Sequence, residues 1–130
     1  MVFDPAAAPL ERAAFLAWYD KQTEWTESHG YNDPQVTAAT LRSWFVDMMR
    51  DYPPMNGPLA SDDVDNPRLT DYSIGREVIY AAFAWSEAEQ AYKRVFGAAQ
   101  THRVGFFDVS AEDGDVWVPN TAGKLERVPR

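Results

Sequence analysis

Apolar positions recur along this chain with two different periods, and the changes between them mark out its elements. Met1-Val2-Phe3 is a short apolar run ended by Asp4-Pro5, which reads as a brief strand, since proline cannot donate inside a sheet. From Pro9 to Trp25, the residues Leu10, Ala13, Ala14, Ala17 and Trp18 fall at i, i+3, i+4, i+7 and i+8. That is the spacing of one helix face, with proline tolerated in the first turn. Ser28-His29-Gly30-Tyr31-Asn32 breaks the pattern. Asp33-Pro34 then reads as an N-cap with a proline at the first helical position, and Leu41, Trp44, Phe45, Met48, Met49 and Tyr52 line one face of a second helix. It must end before Pro53-Pro54, because a residue preceding proline is pushed out of the α region.

Beyond residue 70 the period shortens. Val78 to Trp85 is β-branched and aromatic on both alternating faces, the pattern of a central strand covered on two sides. Asp71 to Ile74 is its hairpin partner, turning near Gly75-Arg76. Ser86 and Glu89 match a capping box, and Ala88, Ala91, Tyr92, Val95, Phe96 and Ala99 form the stripe of a third helix closing near His102. A second hairpin follows, Val104 to Val109 and Asp115 to Pro119, joined by the turn Ser110-Ala111-Glu112-Asp113-Gly114. Residues 120–130 show no period and read as an unstructured tail. The expected order is (β)-α-α-β-β-α-β-β: a single α/β (α+β) domain over residues 1–119, a two-layer sandwich. A mostly antiparallel sheet of four or five strands lies on one side and about three helices on the other, nearest to a ferredoxin-like variant.

Composition narrows what such a domain does. The 130 residues carry 12 Lys plus Arg against 20 Asp plus Glu, a net charge of −8. Three basic residues, Lys124, Arg127 and Arg130, lie at the end against Glu126 alone, which leaves −10 on the rest. Such a body repels phosphate backbones and anionic lipid and attracts a basic partner, so neither nucleic acid nor a membrane is expected to bind it. With no cysteine, a disulfide framework, a thiolate metal site and a cysteine nucleophile are excluded. The start lacks a basic stretch followed by an apolar one, and no run approaches a membrane span, so the expected location is cytoplasmic.

No pattern of residues points to catalysis. His29 and His102 are the only histidines, and no nucleophile elbow, metalloprotease motif, phosphate-binding loop or dinucleotide fingerprint accompanies them. His102 is expected to interact with the C-terminus of its own helix. Asp62-Asp63-Val64-Asp65 and Glu112-Asp113-Gly114-Asp115 invite a calcium reading, but neither has the alternating acids, sixth-position glycine and twelfth-position glutamate of an EF-hand loop. No metal and no cofactor are expected. Trp18, Trp44 and Trp85 sit on apolar stripes or the central strand, where aromatic residues pack in a core. Trp25 and Trp117 stand beside acids, the company an aromatic anchor keeps on a protein-binding surface, although its strand position favours burial for Trp117.

The proline- and aspartate-rich stretch 51–73, DYPPMNGPLASDDVDNPRLTDYS, is too polar for a core and too long for an ordinary connection. With VIYAAFAWSEAEQAY and VGFFDVSAEDGDVWVP, it resembles a family of small acidic bacterial immunity proteins of interbacterial toxin systems, including those of type VI secretion. The likeness spans roughly residues 6 to 119 and rests on PPMNGPL, a D-D-x-D turn, TDYSIG, a strand ending A-W-S, and GFFDVS before an acidic glycine turn. It implies a binding protein, not an enzyme, that silences a cognate toxin, expected to be basic, by occluding its active site. The expected contacts are Asp62, Asp63 and Asp65 on a proline-stiffened loop, with Asp108, Glu112, Asp113, Asp115 and Trp117 as a companion patch. The alternative is a small ligand-binding or enzymatic domain whose pocket gathers Tyr72, Tyr80, His102 and Arg76.

Overall fold

Successive side chains of a strand point to opposite faces, so the two residues of β1 (Val2–Phe3) enter two different cores. The computed structural model, which describes residues 1–130, is built around that division. Val2 joins Leu41, Trp44, Phe45 and Met48 of α2 (Ala39–Met48) and Ala91, Val95, Ala98 and Ala99 of α3 (Ala88–His102). Phe3 joins Phe15 of α1 (Arg12–Gln22) on the other side.

Between them lies a six-stranded sheet with β2 (Asp71–Ile74), β3 (Val78–Ala82), β4 (Gly105–Phe107), β5 (Val116–Pro119) and β6 (Leu125–Arg127), in the order β2-β3-β1-β4-β5-β6. Every neighbouring pair is antiparallel. The α+β class and the split order in which β3 and β4 flank β1 agree with the expected ferredoxin-like variant. Two details differ. The sheet has six strands, and α1 packs on the face opposite α2 and α3, so the layers number three.

The reason is legible in α1 itself. Its expected stripe of alanines is exposed, and the buried or half-buried face is Phe15, Trp18 and Tyr19. An alanine removes little apolar area from water, whereas aromatic side chains each bury about 150–250 Å². Phe15 meets Phe3 at 4.9 Å between ring centroids and Phe107 at 5.2 Å, and Tyr19 meets Phe107 at 4.9 Å. Glu11 caps α1, accepting from the amides of Ala13 and Ala14. Asp33 caps a short 3₁₀ turn over Pro34–Val36, not α2 directly. Ser86 caps nothing, because a 3₁₀ turn over Trp85–Glu87 precedes α3.

Residues 120–130 are not a loose tail. β6 pairs with β5, Leu125 and Val128 are buried, and the Val128 amide donates to the Val116 carbonyl at 2.8 Å. The stretch is too short to show a period, yet its two buried apolar residues, Leu125 and Val128, close the α2/α3 core and the α1 core respectively. Leu125→Ala should therefore cost about 2–3 kcal/mol in chemical denaturation, where an unpacked tail would give no change.

Phe3 stands opposite Gly105 in the β1–β4 pair. A Cβ built on Gly105 would lie 2.2 Å from the Phe3 ring, so the glycine exists to let that ring pass. Gly105→Ala is expected to destabilise by about 3 kcal/mol or more through overpacking. Combining it with Phe3→Leu should lose less than the sum of the two single changes, a coupling that a double-mutant cycle reads directly.

Candidate functional site

The antiparallel register gathers four strand ends at one edge of the fold. Asp71, which opens β2, pairs with Ala82, which closes β3. At β1 and β4, the Phe107 amide donates to the Met1 carbonyl at 2.9 Å. The segments 53–70, 83–87 and 108–115 therefore all emerge at the same end of the sheet. β2 and β4 are three strand spacings apart, so the two acidic segments enter that end separated by roughly 14 Å.

The first is an ordered loop. The Thr70 amide donates to the Pro53 carbonyl at 2.9 Å and the Met55 amide to the Thr70 carbonyl at 3.0 Å, which pins the loop's two ends together through an isolated bridge, Pro54 to Thr70. Thr70 is fully buried. Gly57, at φ +88, supplies a left-handed turn against Asn32, where a side chain would have no room. Arg68 fastens the far side: its guanidinium bonds Glu87 at 2.8 Å and Gln90 at 2.9 Å and lies 5.0 Å over the Tyr52 ring. The loop is thus tied to the turn that begins α3. Asp62, Asp63 and Asp65 are exposed at its crest, and none takes part in an ion pair. Met55, Leu59 and Val64 are exposed among them.

Trp85 corrects its expected core position most sharply. β3 ends at Ala82, and the indole is 96% exposed. It stands three residues before Ala88, on the same helical stripe as Ala88, Tyr92 and Val95, but where that stripe runs past the end of the sheet. There the small side chains of Ala81 and Ala88 leave an apolar cavity of about 410 Å³ between α3 and the sheet. Trp85, Phe83, Tyr92 and Phe106 line it, with Asp108 and Ser110 among its few polar residues. The signal was present in the sequence: Trp85 belongs to the α3 stripe by spacing, yet lies outside the strand and before the cap.

Two of the four acids of the companion patch are neutralised by ion pairs. Asp113 accepts from Arg12 at 3.0 Å and pairs with Arg130, and Asp115 pairs with Arg130 at 2.9 Å and Arg127 at 3.7 Å. Arg127 and Arg130, near the end of the chain, fold back onto the turn. Asp108 accepts from the Ser110 amide at 3.1 Å, and Glu112 is exposed without an ion pair. Trp117 is half-buried with its ring 5.3 Å from Phe96, so it packs on the α3 core and offers no free anchor.

The pocket residues named for the alternative are scattered. Tyr72 is buried and donates to the Tyr52 carbonyl at 2.8 Å. Tyr80 packs on the α1 side. His102 reaches across to α2, with Nε2 2.9 Å from Asp47, and does not serve its own helix end. Asp47 also takes Arg94 at 2.8 Å, and hydrogen bonds from Arg94 first and His102 second hold its carboxyl below the ordinary value. Arg76 sits at the far end with Glu27 and His29. Compared with known proteins, the chain matches no protein-family model, no curated protein and no solved structure.

His29 places both ring nitrogens on acceptors, Nδ1 on the Gly30 carbonyl and Nε2 on Glu27, each at 2.7 Å. The backbone bond and then the Glu27 bond raise its pKa above 6.5, against Arg76 nearby. A raised folded-state pKa contributes stability that is complete below pH 6.5 and is lost as pH climbs through the folded value. The Ile74 amide, which bonds the Tyr31 carbonyl at 2.8 Å beside this clamp, should lose exchange protection across that window after correction for intrinsic rates. His29→Gln should remove the dependence.

Proposed function

We propose that the chain is an immunity-type inhibitor that binds a basic toxin domain in the cytoplasm of the cell producing it, through the end of the fold that carries Trp85. The observation that carries this reading is an almost wholly exposed tryptophan at the mouth of an apolar cavity, beside an ordered loop whose three aspartates have no internal cation. A large exposed aromatic with apolar neighbours and a charged surround is the composition of a binding hot spot, the ring supplying affinity and the acids steering. The pinned loop supports it further, since a segment already ordered loses little entropy on binding. A second copy of the chain would bring its own acids against these, so charge complementarity favours a basic partner. Resemblance of the strings around 51–73, 78–92 and 104–119 to immunity proteins supplies the class of partner. No helix is long and apolar enough to cross a membrane.

The cavity sustains a second reading, a small-molecule binding domain, because about 410 Å³ falls within the usual range of ligand sites. Its lining, apolar with few polar groups, suits an apolar ligand and provides no acid–base pair.

Affinity capture from a lysate of the source organism, with the purified chain as bait, should recover a basic domain whose toxic activity this chain inhibits in a purified assay. Trp85→Ala should weaken that complex by about 2 kcal/mol, roughly thirtyfold. Reversing Asp62, Asp63 and Asp65 to Lys should slow association about tenfold or more at low salt while leaving the fold intact. Unchanged affinity and salt dependence in both variants would place the interface elsewhere. A captured protein with no inhibited activity would end the immunity reading itself.

A further inference from the structure

The opposite face of the sheet carries a second groove, of about 360 Å³, whose lining includes Tyr19 of α1, Trp25, Tyr80 of β3, and Asp71 and Ser73 of β2. It exists because α1 covers β1 and β4 with its aromatic face but leaves the β2–β3 edge open, while the segment after α1 folds over it. Trp25 adopts φ +54, a left-handed conformation that a bulky residue takes up only when its surroundings hold it there. They do. Its ring stands edge-on to Tyr31 at 5.1 Å and 75°, and the Tyr31 hydroxyl accepts from the Glu27 amide at 2.7 Å. Against Tyr80 the indole is nearly perpendicular, 84° at 6.4 Å. The two rings thus form a fixed corner, with Tyr19 beside it.

Of the polar groups of this groove, only the Thr23 hydroxyl is committed, donating to the Tyr19 carbonyl at 3.1 Å and to the Asp20 carbonyl at 3.2 Å. Asp71 is exposed and makes one long hydrogen bond, 3.4 Å from Asn56, and no ion pair. The hydroxyls of Tyr19, Tyr80 and Ser73 make no hydrogen bond within the chain, and no lysine or arginine lines the groove. Aromatic faces set at an angle with one free carboxylate, on a body of net charge −8, attract a cation that also has an apolar shell. An anion would meet Asp71 with no compensating base. A neutral apolar molecule would leave the carboxylate and three hydroxyls without use.

We propose that this groove binds a small alkylammonium ion, the cationic head resting on Trp25 and Tyr80 with Asp71 as counter-charge. The site is independent of the toxin-binding reading. Choline and its neutral carbon isostere 3,3-dimethylbutan-1-ol separate charge recognition from shape. In ¹H–¹⁵N spectra at constant ionic strength, millimolar choline should shift the Trp25 indole and the Ser73 and Tyr80 amides, and the isostere should bind about tenfold more weakly. Asp71→Asn, at an exposed position and isosteric, should weaken choline about fivefold. Trp25→Gly, in which glycine takes the left-handed φ freely, should abolish the shifts while the rest of the spectrum stays dispersed. Equal binding of the isostere, shifts that map outside the groove, no shifts at all, or full binding by both variants would each overturn the proposal.

Discussion

The ring of Phe3 lying over Gly105 is the contact on which the rest of the arrangement depends. β1 is only two residues long, yet it occupies the middle of the sheet, and its two side chains are the link between the cores on either face. With so little strand to specify it, register is held by packing. A shift of one residue would send Phe3 into the α2/α3 core and Val2 under α1, overpacking the first core and leaving a void in the second. Gly105 accepts only the observed register, because no other partner residue leaves the ring its space. β4 is thereby set beside β1, and the end of β4, the turn after it and the cavity under α3 follow.

The end of the fold that carries Trp85 shows how a polar loop is kept rigid without a core of its own. Two bonds at its neck, between Thr70, Pro53 and Met55, close the loop, and one arginine spans from its far side to α3. Arg68 does this by using its planar head in two ways, bonding Glu87 and Gln90 at its edge while its face covers Tyr52. The prolines reduce the freedom of the unfolded segment, so less entropy is lost when the loop takes its shape. Its acids are left at the crest without a cation of their own, because Arg68, the one basic residue of the loop, is already engaged with the scaffold.

Electrostatics divides the two acidic segments. Around 108–115, Arg12, Arg127 and Arg130 neutralise Asp113 and Asp115. Around 62–65 nothing does. Of the two acidic segments, the one at 62–65 therefore keeps all of its charge uncompensated and presents the stronger field to an approaching basic surface. Exposed ion pairs of the 108–115 kind add little to stability individually, but they have the effect of fastening the end of the chain over the sheet edge and withdrawing those carboxylates from any partner.

Much of this was legible in the residues themselves. The stripe Leu41, Trp44, Phe45, Met48 is dense and large enough that α2 and its buried face followed from spacing, and the hairpin of β2 and β3 followed from alternation closed by Gly75. The 51–73 segment declared itself a structured surface element by its prolines and acids. What spacing did not carry was the choice between equivalent faces and partners. The alanines of α1 satisfy the helical repeat as well as Phe15, Trp18 and Tyr19 do, and only the sheet surface they meet decides which face is buried. Trp85 fits a strand end and a helix stripe equally, and its exposure depends on where the sheet stops. Asp113 and Asp115 look as free as Asp62 and Asp63 until Arg130 arrives from fifteen and more residues away. Periodicity is a local property of the chain, so the sequence by itself determined the elements and their apolar content; burial, ion pairing and the cavity are relations between distant segments, and only the tertiary structure could decide them.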